Sequence, residues 1–257
     1  MSERLQDKVT VITGAGGGIG RATAVRLISE GAKVVAVDLP GTGLDETIAA
    51  LESLGGECLG VPADVSNEAA VKGCLDAAAE HFGGIDCLFN NAGIEGVVSS
   101  FENYPVEMFD KVLAVNARGV FLGIKHAIGH MRKRGGGAIV NTASVAGLQG
   151  TPMLAAYNAS KHAVIGLTRA ASQGYAKENI RVNAICPSPI ETRMMRAIEE
   201  SSANDAAAAK AQTTLRIPAG RYGEPEEVAA LVAFLLSNEA SYLFGGIYTI
   251  DGGMTPF

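Results

Sequence analysis

The sequence predicts an α/β fold built on one parallel sheet, and three observations carry that reading. A β-branched run, Val9-Thr-Val-Ile12, leads straight into the glycine-rich Thr13-Gly-Ala-Gly-Gly-Gly-Ile-Gly20, and helical periodicity follows. Strand-like and helix-like segments then alternate along the chain, which implies parallel pairing through right-handed crossovers. No linker divides residues 1–257, so they read as one domain.

Taken in order, Ala22, Ala24, Val25, Leu27 and Ile28 recur at helical spacing before Gly31 ends the segment. Lys33 to Val37 is the second strand, ending in Asp38, and a helix follows around Leu44 to Leu54. The third strand, around Cys58 to Val61, precedes Asp64 and a helix from about Glu68 to Phe82. Ile85 to Phe89 is the fourth strand and enters Asn90-Asn-Ala-Gly93. A long helical stretch from about Val106 to Arg132 contains Asn116 and several glycines, which weaken helix propensity and point to close packing or a kink. The apolar run Ala138 to Ala143 ends at Ser144, and the helix carrying Tyr157 and Lys161 extends to about Lys177. Ile180 to Ile185 is a further strand, followed by Cys-Pro-Ser-Pro189. Residues 190–215 are rich in Met, Ala and Ser and predict a mobile helical flap over the substrate. A helix over Pro225 to Ser237, with Pro in its first turn, and a seventh strand, Gly246 to Ile250, complete the pattern.

Composition narrows the function classes. The chain is 47% hydrophobic and 19% charged, with 32 glycines and no low-complexity tract, which fits a compact α/β protein. A net charge of −6 offers no nucleic-acid surface, and Arg132-Lys-Arg134 before Gly135 reads as a helix C-terminus complementing its dipole. Cys58, Cys74, Cys87 and Cys186 have neither disulfide nor metal-ligand spacing, so reduced thiols and no metal are expected. The first eight residues lack a signal-peptide core, and no run of about 18 apolar residues exists, so a cytoplasmic protein without membrane contact is expected.

The chemistry gathers at strand ends. A glycine turn between strand and helix lets main-chain N–H groups and the helix dipole hold a pyrophosphate, although tight packing alone also explains such a turn. Gly14-x-x-x-Gly18-x-Gly20 stands in place of the strict spacing, because Ile19 occupies the third glycine's position. Asp38 lies about 20 residues beyond, where a carboxylate binds ribose hydroxyls and repels a 2′-phosphate. Neither Ala15 nor Leu39 is basic, so NAD is expected in preference to NADP. Asp64-Val65 suits an adenine amino group or a helix N-cap. Asn90-Asn91-Ala92-Gly93 either fixes main chain beside a cofactor or forms a simple turn. Tyr157 and Lys161, four apart on a helix, share a face, and an ammonium beneath a phenol lowers its pKa.

Thr13 to Gly20, Asn90-Asn-Ala-Gly93, Asn116, Ser144 and Tyr157-x-x-x-Lys161, in this order and at these intervals, resemble the short-chain dehydrogenase/reductase family over essentially the whole chain. The resemblance implies a single-domain Rossmann-type fold, a doubly wound sheet of about seven parallel strands flanked by helices on both faces. It implies that Tyr157 is the general acid in ketone reduction and the base in alcohol oxidation. Lys161 would lower its pKa and hold the nicotinamide ribose, Ser144 would bond the substrate oxygen, and Asn116 would hold a water linking Lys161 to solvent. Pro187, Ile190 and Thr192 match the segment that would contact the carboxamide. Ser188 stands where the family usually has glycine, and this predicts an altered loop path, since glycine tolerates φ values that serine resists.

Asn91-Ala-Gly-Ile-Glu-Gly96, Asn141-Thr-Ala-Ser-Val145 and Arg221-Tyr-Gly-Glu-Pro225 resemble bacterial members acting on cyclic ketones and secondary alcohols. Ile94, Glu95, Ala146, Gln149, Met153, Ser188, Met194 and Met195 are the candidate pocket residues, the methionines serving as an adaptable wall or as core. An NAD(H)-dependent secondary-alcohol dehydrogenase or ketone reductase is the leading expectation. A 3-oxoacyl-carrier-protein reductase and a dinucleotide-binding sensor are the alternatives. The resemblance further implies a homotetramer, and Gly119, Gly123, Ala163, Gly166 and Ala170 are small residues suited either to that interface or to packing within the chain.

Overall fold

The computed structural model describes residues 4–202 and 205–255. The expectation drawn from the first eight residues therefore falls partly outside the described residues, as do positions 203 and 204 of the expected flap. The strands are β1 (Val9–Thr13), β2 (Lys33–Asp38), β3 (Cys58–Pro62), β4 (Cys87–Asn90), β5 (Gly137–Thr142), β6 (Ile180–Pro187) and β7 (Ile247–Ile250). They form one sheet, β3-β2-β1-β4-β5-β6-β7, with every neighbour parallel. All residues of β1, β4 and β6 are buried, the polar Thr10, Asn90, Arg181 and Asn183 included, as a sheet covered on both faces requires.

Alternate strand residues feed two cores. Val11, Val35 and Val37 face α3 (Glu68–Phe82), α5 (Gly119–Lys133) and α6 (Ala155–Tyr175), meeting Leu75, Leu122 and Val164. Ile12, Val34 and Ala36 face α1 (Gly18–Ser29), α2 (Leu44–Ser53) and α9 (Pro225–Leu236), meeting Leu27, Leu51 and Val232. The expected doubly wound architecture is thus observed. Where the flap was expected, the chain forms α7 (Arg193–Ser202) and α8 (Ala206–Thr214).

Two local readings are corrected and a third is borne out and extended. The long helix is two, α4 (Val106–Leu113) and α5, joined by a π-helical turn over Ala114–Arg118 that contains Asn116. The N-cap of α3 is Asn67, whose side chain accepts from Ala70 N–H at 3.0 Å, and not Asp64. Finally, the basic run does end α5, but two of its members act through specific ion pairs. Arg132 meets Glu178 at 2.6 Å, and Arg134 meets Asp86 at 3.1 Å.

Two of the glycines of α5 serve close packing. Gly119 lies against Val65, and an added Cβ at Gly123 would collide with the Asn90 carboxamide, whereas Gly129 faces open space. Gly123→Ala is therefore expected to destabilise the protein by about 1–3 kcal/mol in urea unfolding. Gly129→Ala on the same helix is expected to stabilise it by about 0.5–1 kcal/mol.

Candidate active site

The strand order reverses between β1 and β4, and open α/β sheets place ligands at the crevice outside such carboxyl ends. After β1, α1 begins at Gly18 with no side-chain cap. The N–H groups of its first turn have no partner within the helix, so an anion is the group that completes them. Gly14 sits at φ +68° with its Cα facing Ala92, where a Cβ would stand 2.8 Å from the Ala92 main chain. An added Cβ at Gly20 would strike the Gly14 carbonyl. Asp38 closes the turn from β2, accepting from Gly16 N–H and from Leu39 N–H, both at 2.7 Å. The bare helix terminus, the close main-chain approach and the carboxylate beside it fit the pyrophosphate and ribose of a dinucleotide.

Asn91 ties the strand ends together. Its Nδ2 donates to the carbonyls of Thr13 at 3.2 Å and Gly14 at 3.1 Å, and its Oδ1 accepts from the Thr142 hydroxyl at 3.3 Å. In return Thr13 Oγ1 accepts from the N–H groups of Asn91 and Ala92 at 3.0 and 3.1 Å. Gly93 lies beside Asn116 and Lys161: an added Cβ there would stand 3.3 Å from Asn116 Oδ1 and 3.6 Å from Lys161 Nζ.

Ser144, Tyr157 and Lys161 meet as the sequence predicts. Ser144 is buried at the end of β5, its Oγ donating weakly to the Pro187 carbonyl at 3.4 Å and accepting from Ala146 N–H at 3.1 Å. Lys161 is only 3% exposed; its Nζ donates to the Thr142 carbonyl at 2.7 Å and stands 5.4 Å from the Tyr157 ring centre. Burial pushes the Lys161 ammonium down to about 8. Burial also pushes the Tyr157 phenol up to about 12, the Ser144 hydroxyl opposing and the Glu95 charge reinforcing the rise. The lowered phenol pKa expected from the four-residue spacing is thereby corrected. The ammonium bonds the Thr142 carbonyl, and loss of water sets the direction of the phenol's shift.

Asn116 is fully buried, and its side chain serves the main chain opposite. Oδ1 accepts from Ile94 N–H at 2.8 Å, while Nδ2 donates to the Ile94 carbonyl at 2.9 Å and to Ser160 Oγ at 3.1 Å. Asp64 spends a carboxylate oxygen on Ser66 N–H at 2.8 Å, and Val65 packs on Gly119.

The chain after β6 crosses the glycine turn. Ile190 is buried and pairs with Gly223, and Thr192 reaches Gly18, where an added Cβ would lie 3.2 Å from Thr192 Cγ2. Ser188 donates its N–H to the Ile250 carbonyl at 3.2 Å and adopts no left-handed φ, the region that serine resists and glycine tolerates. Met194 and Met195 are half-buried on α7. Below them Glu191 pairs with both Arg196 and Lys210, joining α7 to α8. Ala146 is buried next to Ser144, and Gln149 is half-buried one turn on. Met153, at φ +66° and 48% exposed, lines a groove of about 520 Å³ with Ser99, Phe101 and Asn158; Ser144, Tyr157 and Lys161 do not line it.

Sequence reasoning missed several supports. Arg21 braces the turn, donating to the carbonyls of Gly16 at 2.6 Å and Gly43 at 2.8 Å and to Thr47 Oγ1 at 2.8 Å. Its place directly after the last turn glycine was the available signal. Asn158 brackets Thr151 through both its N–H (2.9 Å) and its carbonyl (2.8 Å), pinning the loop before α6, and no sequence pattern marks that contact.

Fold, turn and side-chain cluster together define a nucleotide-dependent oxidoreductase class, and the chain belongs to the short-chain dehydrogenase/reductase family. A family profile described as enoyl-(acyl carrier protein) reductase matches residues 14–255. Levodione reductase of Leifsonia aquatica is 45% identical over 98% of this chain and 96% of its own length. A crystal structure of levodione reductase superposes with a TM-score of 0.95 at 45% identity, covering 97% of this chain and 98% of that one. Cyclohexanol dehydrogenase of Acinetobacter sp. (strain SE19) is 39% identical over 99% of this chain and 98% of its own. NAD+-bound xylitol dehydrogenase superposes with a TM-score of 0.92 at 38% identity, covering 97% and 99% of the two chains.

The buried ammonium costs stability. Below about pH 8 folded and unfolded chains both carry it, and the folded state bears the full penalty of burial; from about 8 to the ordinary 10.5 the folded state sheds its proton first and the penalty fades. Lys161→Met is therefore expected to stabilise the protein without added nucleotide by about 1–3 kcal/mol at neutral pH. Urea unfolding across pH checks this, the gain shrinking toward the alkaline end.

Proposed function

We propose that the chain interconverts a secondary alcohol and a ketone, cyclic or hydrophobic, by hydride transfer with NAD(H). The observation that carries this reading is the convergence of Ser144, Tyr157 and Lys161 at the carboxyl edge of β5 and β6, next to the glycine turn. The names of the similar proteins, levodione reductase and cyclohexanol dehydrogenase, point to the same substrate class.

When bound, the nicotinamide supplies the hydride in reduction and takes it up in oxidation. In reduction Tyr157 gives its phenolic proton to the carbonyl oxygen; in oxidation the phenolate takes the proton of the hydroxyl. A phenol near 12 is fully protonated at neutral pH, so the proton is in place for reduction, but its pKa must fall for it to give that proton up readily or to act as a base. With nucleotide in place, the ammonium of Lys161, on the adjoining helical turn, holds the nicotinamide ribose and, together with the cofactor's positive ring, gives the help that it does not give while bonded to Thr142 alone. Ser144 turns its hydroxyl from Pro187, a long 3.4 Å bond that costs little to give up, to the substrate oxygen. Because the Asn116 side chain is spent on Ile94 and Ser160, its contact with a water between Lys161 and solvent falls to the main chain of the π turn.

Gly14, Gly18, Ile19 and Gly20 cradle the pyrophosphate, Asp64 and Val65 flank the adenine, and Asn91, Ala92 and Gly93 line the path to the nicotinamide. Pro187, Ile190 and Thr192 face the carboxamide, while Ala146, Gln149, Ser188 and Met194 bound the substrate, and Met153, which lines the neighbouring groove, reaches only a substrate long enough to extend into it. NAD is favoured over NADP because the Asp38 carboxylate sits on the turn itself, and Arg21, the nearest cation in sequence, is tied to Gly16, Gly43 and Thr47. The xylitol dehydrogenase structure holds NAD+, in line with this choice. A panel of cyclic ketones, secondary alcohols and acetoacetyl thioesters, followed at the NADH and NADPH absorbance, is the test. Activity with NADH on the first two groups is expected, and Tyr157→Phe is expected to lose at least about 10²-fold in kcat with nucleotide affinity kept. Faster turnover of the thioesters with NADPH identifies a 3-oxoacyl-carrier-protein reductase instead, and tight NADH binding without turnover identifies a sensor.

We infer a homotetramer as well, acting in the cytoplasm on small molecules and not on nucleic acid. Gly119 and Gly123 are used within the chain, but Ala163, Gly166 and Ala170 form an exposed small-residue face on α6, open to a second copy. Among the described residues no helix is long and apolar enough to cross a membrane. Light scattering is expected to give four times the 26.4 kDa chain mass, and a monomer overturns the assembly.

A further inference from the structure

We propose that the chain binds a small oxyanion, of the phosphate or sulfate type, in a cavity at the amino-terminal edge of the sheet, opposite the catalytic groups, where Lys8 and Arg181 present uncompensated positive charge. The cavity measures about 220 Å³ and lies among the starts of β4, β5 and β6 and the end of α9. That is below the roughly 300 Å³ at which sites for drug-sized ligands begin, so its occupant is an ion or small molecule. Its floor includes Arg181, 6% exposed, and its rim includes the exposed Asn179 and Asn238.

The charges do not balance. Of the lining residues Asp86 alone is a carboxylate, and it is already committed: Arg134 donates to it twice at 3.1 Å, and Val9 N–H donates at 2.9 Å. Arg181 bonds only main-chain carbonyls, those of Leu235 at 2.7 Å, Leu236 at 3.3 Å and Ser237 at 2.9 Å. The carboxyl end of α9 offers about half a negative charge in compensation, which leaves the guanidinium short of a full partner. Burial lowers its pKa accordingly. The Lys8 side chain makes no hydrogen bond or ion pair among the described residues, and neither do the side-chain amides of Asn179 and Asn238. A buried cation without an anion is costly, a guanidinium fork matches the oxygens of an oxyanion, and free amides on the rim supply further donors. An ordinary helix C-cap explains less, since such caps come from exposed Lys or Arg in the helix's own last turn, whereas Arg181 is buried and comes from β6.

Thermal unfolding of the full chain at neutral pH, in potassium phosphate against potassium chloride of equal ionic strength, tests this. Phosphate at about 10 mM is expected to raise Tm by about 2–4 °C beyond chloride, saturably, with sulfate acting alike. Lys8→Met should leave Tm in chloride within about 1 °C and remove at least half of the phosphate shift. Arg181→Gln also removes the bonds to α9 and lowers Tm in any salt, so Lys8 is the deciding position. No saturable shift over chloride overturns the proposal. So does an equal shift in Lys8→Met, which assigns the anion to the helix terminus at Gly18 or to salt exclusion.

Discussion

The side chain of Asn91 is the contact on which the site hangs. One carboxamide holds the main chain after β1 and the hydroxyl of Thr142 at the end of β5, while its own N–H rests on Thr13. Three strand ends are locked at the place where the order reverses, so the glycine turn and the end of β5 keep one separation. Lys161 extends the same lock, because its ammonium hangs on the carbonyl of Thr142. The nucleotide cradle and the phenol are thereby parts of one hydrogen-bonded frame. Orientation of this kind is among the largest contributions a scaffold makes to a two-reactant step.

That frame is built at the expense of stability. A lysine with no carboxylate partner and a phenol held far above its ordinary pKa are groups a protein selected for stability alone would replace with apolar ones. Opposite tendencies meet here: burial drives the ammonium toward neutrality and the phenol away from ionisation, so neither helps the other until the electrostatics around them change. The surrounding structure absorbs this strain through the continuous apolar strands on either side, whose two cores leave the carboxyl edge as the polar rim of the sheet.

Most of the fold was legible because a parallel sheet covered on both faces writes itself as apolar runs alternating with amphipathic ones. The helix Glu68–Phe82 has the boundaries expected of it, since Asn67 and Gly83 punctuate it. The stretch around Asn116 was legible only as an irregularity. Glycine content signals a kink or close packing, but which glycine does what depends on what lies opposite, and Gly119 and Gly123 meet Val65 and Asn90 from distant segments. Ser188 marks another limit: serine resists the left-handed φ that glycine allows, and the chain leaves β6 at Pro187 with no left-handed turn, but the course of that loop is set by contacts such as Ser188 N–H to Ile250 that no local pattern announces.

The sequence by itself determined the alternating α/β order, the glycine turn after the first strand, the acid at the end of the second, and the tyrosine and lysine on one helical face. All of these are local patterns, governed by periodicities of two and 3.6 residues and by the dihedral freedom of glycine. Only the tertiary structure decided what those groups do to each other. It sent the Lys161 ammonium to Thr142, spent the Asn116 amide on Ile94 and Ser160, and bound Asp38 to Gly16. It also left Arg181 buried at the opposite edge without an acid. Partners 19 to 56 residues apart set those outcomes, and burial, which fixes the pKa values, is a property of the packed chain and not of any segment of it.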